Sequence, residues 1–290
     1  MLIVKELNKK YKNSDVYSLK NVSFTMKKGE IVGLIGKNGA GKTTLMKMLV
    51  KTLKPTSGTI LLNGVNIYER DNQLENVGIL IEPAYYAQLT AVENLNFYLE
   101  VNQKEEYKKN IKTILKLVDL WENRNQKPDS FSFGMKQRLS LAMSLVTEPE
   151  FAIMDEPFVG LDPLGVSSLI NVLKDWVQEK NMTVLISSHQ LSELEELCER
   201  FLYINQGELS HSFDREDVMQ SKLIIHTQNK INDHHILEQF SLVAVNENTL
   251  SVSGNHSQIN DVLYYLTNNN IITSIEVANK EQLKKYFTGE

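Results

Sequence analysis

The chain contains one cysteine, Cys198, among 290 residues. That count excludes an intramolecular disulfide and a cysteine-built zinc site, and it favours a reducing compartment. Long apolar runs are missing as well. The longest, such as Ile31–Gly36 and Val77–Ile81, fall far short of the roughly 20 apolar residues that cross a bilayer. The opening stretch, MLIVKELNKKYK, sets a brief apolar patch before its charges, the reverse of a secretory signal. A cytoplasmic location is expected, with any membrane association supplied by a partner. Nor is there a positive excess. The formal net charge is −5, which gives no general attraction for nucleic acid.

What remains is an ordinary globular composition, 42% hydrophobic and 23% charged, sufficient for a sizeable core. The length predicts one large domain and a smaller one. Residues 2–7 and 19–26 read as short strands, and Lys27-Lys28-Gly29-Glu30 as a turn. Ile31-Val32-Gly33-Leu34-Ile35 reads as a strand buried on both faces. A glycine-rich loop follows, then a helix from Thr44 to Leu53 that Pro55 and Gly58 stop. Residues 59–67 form a predicted hairpin around Asn63-Gly64. From about 89 to 148 the apolar spacing is helical, an insert within an α/β core. Buried strands at Phe151–Met154 and Thr183–Ser187 flank a helix from about Leu164 to Lys180. That βαβ unit implies a parallel sheet. Residues 222–290 run LIIHT, HHILEQF, SLVAV, TLSVS, INDVLYYLT, ITSIEV and EQLKKYF. The order β-α-β-β-α-β plus a terminal helix predicts a small α+β, ferredoxin-like domain. The expected division is 1–212 and 213–290.

Gly36-Lys37-Asn38-Gly39-Ala40-Gly41-Lys42-Thr43 matches G-x-x-x-x-G-K-[ST], between a predicted strand and a helix. Glycines let the backbone approach phosphate, and successive N–H groups converge at the helix N-terminus, where Thr44 follows. Lys42 offers a cation to the β- and γ-phosphates of ATP, and the Thr43 hydroxyl a ligand to Mg²⁺. Phe151-Ala152-Ile153-Met154-Asp155-Glu156 ends an apolar strand on two carboxylates. In an open α/β sheet that end faces the ligand. Asp155 is expected to hold Mg²⁺ through water, and Glu156 to act as general base on the attacking water. No ligand spacing accompanies His234-His235, so no metal site is expected there.

Phe131-Ser132-Phe133-Gly134-Met135 resembles the LSGGQ signature of ABC transporter ATPases. The order of motifs over residues 1–212 resembles the same family: phosphate loop, helical insert, signature, acidic strand end, Leu161-Asp162, then Ser187-Ser188-His189. The resemblance implies an ATP-hydrolysing subunit that works with an integral membrane transporter subunit and with a second ATPase domain, as homodimer or heterodimer. It implies that Ser132 and Gly134 contact the γ-phosphate across that interface. His189 resembles the switch histidine, Asp162 the D-loop aspartate, and Tyr11 the aromatic residue that stacks on adenine. The chain departs from the family at three places. Glu82 stands where glutamine is usual, resembling the E-loop of lantibiotic and bacteriocin exporters, and keeps an oxygen for Mg²⁺ while adding charge. Phe133 and Met135 replace a glycine and a glutamine of the signature, and Met143 an arginine. The nearest resemblance is to peptide exporters of the lantibiotic, bacitracin and phenol-soluble modulin type. The competing class is a regulatory or translation-associated ABC ATPase without a membrane partner, but those chains usually carry two ATPase domains, and this one has one phosphate loop and one signature.

Overall fold

The computed structural model describes residues 1–12, 14–188, 191–214, 221–228, 243–246, 248–254, 262–263, 266 and 272–277. The chain divides into two units, Met1–Ser212 and Phe213–Glu290.

Strands β1 (Leu2–Lys10) and β2 (Tyr17–Met26) each bury one face, as their partial alternation requires. They pair antiparallel, whereas β3 (Ile31–Ile35) is buried along its whole length. Helix α1 (Lys42–Leu49) starts and ends earlier than the sequence predicts. Val50 leaves the helix, Lys51 takes a left-handed φ of 62°, and the Thr52 hydroxyl and Leu53 N–H both donate to the Lys47 carbonyl. The helix is closed by these bonds, well before Pro55. Strands β4 (Ser57–Leu62) and β5 (Val65–Asn66) form the expected hairpin, with Asn63 and Gly64 both left-handed.

After β6 (Val77–Leu80) come the helices of the insert. Thr90 and Glu93 make a capping box on α2 (Ala91–Val101), α3 (Ile111–Leu117) follows, and Ser132 caps α4 (Phe133–Leu145). The chain returns through β7 (Phe151–Asp155), α5 (Pro163–Lys180), β8 (Thr183–Ser187), α6 (Leu191–Leu197), β9 (Arg200–Asn205) and β10 (Glu208–Asp214). Asp162 caps α5, Pro163 occupies its first position, and Asn181 ends it in a left-handed conformation.

Two sheets result. One is antiparallel in the order β2-β1-β4-β5. The other has the order β10-β9-β3-β8-β7-β6, and its pairs from β9 to β6 are parallel. Its central strands read as unbroken apolar runs because both faces are covered. The order sets β8 between β3 and β7. The phosphate loop after β3 and the carboxylates at the end of β7 therefore flank the end of β8, at one edge of the sheet.

The second unit holds β11 (Ser221–Thr227), β12 (Val243–Asn246), β13 (Thr249–Gly254) and β14 (Ile272–Val277). They form an antiparallel sheet in the order β12-β13-β11-β14. Val262, Leu263 and Leu266 are helical, and Val262 and Leu266 are buried. The helices predicted over HHILEQF and EQLKKYF, and His234-His235, lie outside the described residues.

Candidate functional site

At the end of β3 the chain must turn sharply against β9. Gly36 makes this possible: with φ +155°, a Cβ there would overlap the Ile204 carbonyl oxygen. Gly41, at φ +112°, occupies the N-cap of α1 and contributes no capping side chain, so the first N–H groups of the helix point into the loop. The resulting cavity has a volume of about 210 Å³. Lys37, Asn38, Gly39, Gly41, Lys42, Thr43 and Thr44 line it, together with Ser18, Asp155 and Glu156. The structure thus brings together the loop and the acidic strand end, which are far apart in sequence. Gly36 and Ala40 support the loop from behind; the Ala40 carbonyl accepts from Gly207 N–H at 3.0 Å.

Lys42 is 7% exposed. Its ammonium donates to the Gly36 carbonyl at 2.6 Å and the Lys37 carbonyl at 3.3 Å. Burial pushes its pKa below the ordinary lysine value, while the Glu156 and Asp155 charges pull it back up. Thr43 Oγ1 donates to Asp155 Oδ2 at 2.6 Å, and the Ser187 hydroxyl donates to Asp155 Oδ1. Asp155 is therefore fixed from both sides. Glu156 follows with a left-handed φ of 54°, and its N–H is held by the hydroxyl and the carbonyl of Ser187, each at 3.2 Å. Glu156 lines the cavity beside Asp155.

The donor set decides what the site can hold. Hydroxyl and carboxylate oxygens from Thr43 and Asp155 suit a hard cation such as Mg²⁺. Among the described residues no three His, Cys, Asp or Glu side chains gather for a metal, so such a cation must complete its shell with water and phosphate oxygens. Helix N-terminus, glycine backbone and Lys42 together suit a polyphosphate.

Other expected residues stand apart from this cavity. Ser132 and Gly134 open α4, where the Ser132 hydroxyl accepts from Met135 N–H at 3.2 Å. Gly134 packs against Gly160, in the loop that carries on from Glu156. The Asp162 carboxylate accepts from Gly165 N–H at 2.8 Å, a capping bond. Tyr11 is exposed, with Lys9 Nζ 5.2 Å from its ring centre. Glu82 does not line the cavity; it accepts from Lys47 Nζ at 2.6 Å. His189 lies outside the described residues. Just before it, Ser188 Oγ donates to Glu193 Oε2 at 2.5 Å. Burial and the Glu156 charge raise the Glu193 pKa, although the Ser188 bond lowers it.

Two contributors were missed by the sequence reading as site residues: Ser18, which lines the cavity, and Ser187, which bonds Asp155. Ser187 was within reach, because it ends a buried strand beside a histidine. Ser18 sits in β2 with no local signal.

With this geometry in view, the similarities are specific. Residues 19–159 match the family described as ABC transporter. The lantibiotic transport ATP-binding protein SrtF of Streptococcus pyogenes is 38% identical over 210 residues, covering 72% of this chain and 89% of that protein. The chain belongs to the ABC transporter ATP-binding family. As an ABC ATPase it binds ATP with Mg²⁺ and hydrolyses the γ-phosphate bond. The bacitracin transport ATP-binding protein BcrA of Bacillus licheniformis is 40% identical over 195 residues, covering 66% of this chain and 63% of that protein. The ABC ATPase thus spans less than two thirds of the BcrA length. A dimeric post-hydrolysis structure of the ATP-binding cassette MJ0796, bound to ADP and Pi, matches with a TM-score of 0.67 at 25% identity, over 74% of this chain and 99% of that one. No helix among the described residues of this ABC ATPase is long and apolar enough to cross a membrane.

Proposed function

We propose that this ABC ATPase powers export of a peptide through a separate membrane subunit, at the inner face of the cell membrane. The observation that carries the reading is Glu82 in the segment Glu82–Leu89, joined to likeness with bacitracin and lantibiotic transport proteins. That segment is fixed from within the insert: Asn94 accepts from Tyr86 N–H at 2.6 Å, and Ser140 bonds Ala84 N–H at 2.8 Å. Its aromatic edge stays outside. Tyr86 is 43% exposed and meets Phe97, 39% exposed, edge-on at 4.7 Å. A rigid exposed aromatic pair supports a docking surface for the membrane subunit.

At the nucleotide, Lys42 would neutralise the β- and γ-phosphates, while Thr43 and Asp155 would hold Mg²⁺, with Glu82 as a further oxygen donor. The metal supplies charge neutralisation on the phosphates. Glu156 accepts the proton of the attacking water, and His189 orients that water. Tyr11 stacks on adenine. Ser132 and Gly134 of a second cassette close over the γ-phosphate, and Asp162 links the paired sites. Residues 213–290 form an accessory domain; the strand order β12-β13-β11-β14 with antiparallel pairing supports the ferredoxin-like arrangement.

The test is to purify the chain with its native complex from solubilised membranes. A stoichiometric polytopic protein is expected, and Tyr86→Ala is expected to lower its recovery without changing ATP turnover of the isolated subunit. Recovery of ribosomes instead would establish the competing, translation-associated class.

A further inference from the structure

We infer that Lys47 is the resting partner of Glu82, and that Glu82 leaves Lys47 when Mg²⁺ and ATP bind. The inference rests on the proposed reading of Glu82 as an oxygen donor on the metal side of the site.

The fold creates the pairing across 35 residues of sequence. β6 runs parallel to β7 with Leu80 opposite Met154, so Glu82 emerges at the sheet edge that carries Asp155 and Glu156. On the facing helix α1, Lys47 lies four residues after Thr43, on the same side and one turn further along. The helix therefore presents two successive rungs to two adjacent strands. Thr43 meets Asp155, and Lys47 meets Glu82, each at 2.6 Å. Moving Glu82 toward the phosphates means moving it from the second rung to the first.

Two features make Lys47 a releasable partner. The Lys47 and Glu82 side chains are 32% and 70% exposed, so water screens their attraction. Pairs of this kind change an equilibrium by no more than about 5-fold, which a divalent cation and its phosphates readily exceed. The charge count is the second feature. Asp155, Glu156 and Glu82 put three carboxylates at this edge, and Lys42, which is bonded to the loop carbonyls, faces Asp155 and Glu156 rather than Glu82. Lys47 offsets the charge of Glu82 until a cation arrives. A glutamine at 82 would bond a lysine without charge, so the exchange depends on the glutamate. Lys47 is thus a positioning residue that acts through Glu82 and touches no phosphate.

The experiment measures equilibrium binding of a fluorescent ATP analogue to the full chain across a Mg²⁺ titration. The proteins are wild type, Lys47→Gln, Lys47→Arg, Glu82→Gln and the Lys47→Gln/Glu82→Gln double variant, each checked by thermal melting. Lys47→Gln removes the competitor, so the half-saturating Mg²⁺ concentration should fall by about 2- to 5-fold. Lys47→Arg retains the cation and should match wild type. Glu82→Gln should raise the half-saturation point, and the double variant should match Glu82→Gln alone. A Lys47→Gln shift that persists undiminished in the Glu82→Gln background overturns the inference, as does an unshifted Lys47→Gln beside a shifted Glu82→Gln. An unshifted Glu82→Gln strikes the underlying reading of Glu82 instead, which separates the two failures.

Discussion

Alanine at Gly160 should be far more damaging than alanine at Gly134, although the two glycines touch each other. At Gly160, φ is +84°, and an added Cβ would lie 2.5 Å from Gly134 Cα and 2.9 Å from the Gly134 carbonyl oxygen. Both obstacles are backbone, so neither can rotate away. A left-handed alanine costs about 1–2 kcal/mol. Overpacking adds about 1–3 kcal/mol. The sum, about 2–5 kcal/mol, corresponds to a melting shift of about 4–20 °C for a unit the size of Met1–Ser212. Gly134 differs because its φ is ordinary and it lies within α4, where alanine is the better helix former by about 0.5–1 kcal/mol. Its added Cβ would stand 3.0 Å from Gly160 Cα, a contact that a small backbone shift relieves. Gly134→Ala should therefore stay within about 3 °C of wild type. The contact joins the start of the signature helix to the loop four residues after Glu156, so Gly160→Ala should also lower ATP turnover, by about 10²-fold if the loop moves by an ångström. Calorimetry and a phosphate-release assay on both variants make the comparison. Equal melting temperatures, or a Gly134→Ala variant less stable than Gly160→Ala, would refute the reasoning.

Glu156→Gln should keep ATP affinity while slowing turnover by about 10²–10⁴-fold, the range for a lost general base; normal hydrolysis would remove Glu156 from that role. Lys42→Ala should weaken ATP binding itself, because the buried ammonium that meets the phosphates is gone; calorimetric titration with unchanged affinity would contradict it. Glu156→Gln with Mg²⁺ and ATP should double its mass in light scattering if two copies of this chain pair, whereas an unchanged mass points to a different partner cassette. Tyr68 offers a pH test. Its hydroxyl meets the Met48 and Leu53 carbonyls, each at 2.8 Å, and burial pushes its pKa up to about 12. A raised folded pKa means that its contribution is fully present below the free value of 10 and lost as the pH climbs through 12. Tyr68→Phe should cost about 1 kcal/mol at neutral pH, and that gap should close above pH 10. An ultraviolet difference titration that shows the missing tyrosine ionising at its ordinary pKa would contradict this account.

Residues 36–43 and 151–156 were legible because their chemistry is local. A glycine loop before a helix and a carboxylate pair after an apolar strand declare themselves within eight residues or fewer. The hairpin at Asn63-Gly64 belongs to the same class, since backbone preference settles it. Sequence alone also placed each motif at the end of a buried strand, because the uninterrupted apolar runs before them require cover on two faces. What it left open was adjacency. No motif states that β8 lies between β3 and β7, yet that order brings Ser187 onto Asp155 and beneath the Glu156 N–H. The end of α1 was misjudged for a related reason: Pro55 is a visible stop, but the Lys47 carbonyl is closed earlier by Thr52 and Leu53. Ser18 in the cavity wall and Lys47 on Glu82 depend wholly on tertiary packing. Each is an unremarkable polar residue in its own stretch of chain, and its role exists only because a distant strand end is carried to within hydrogen-bonding or lining distance of it.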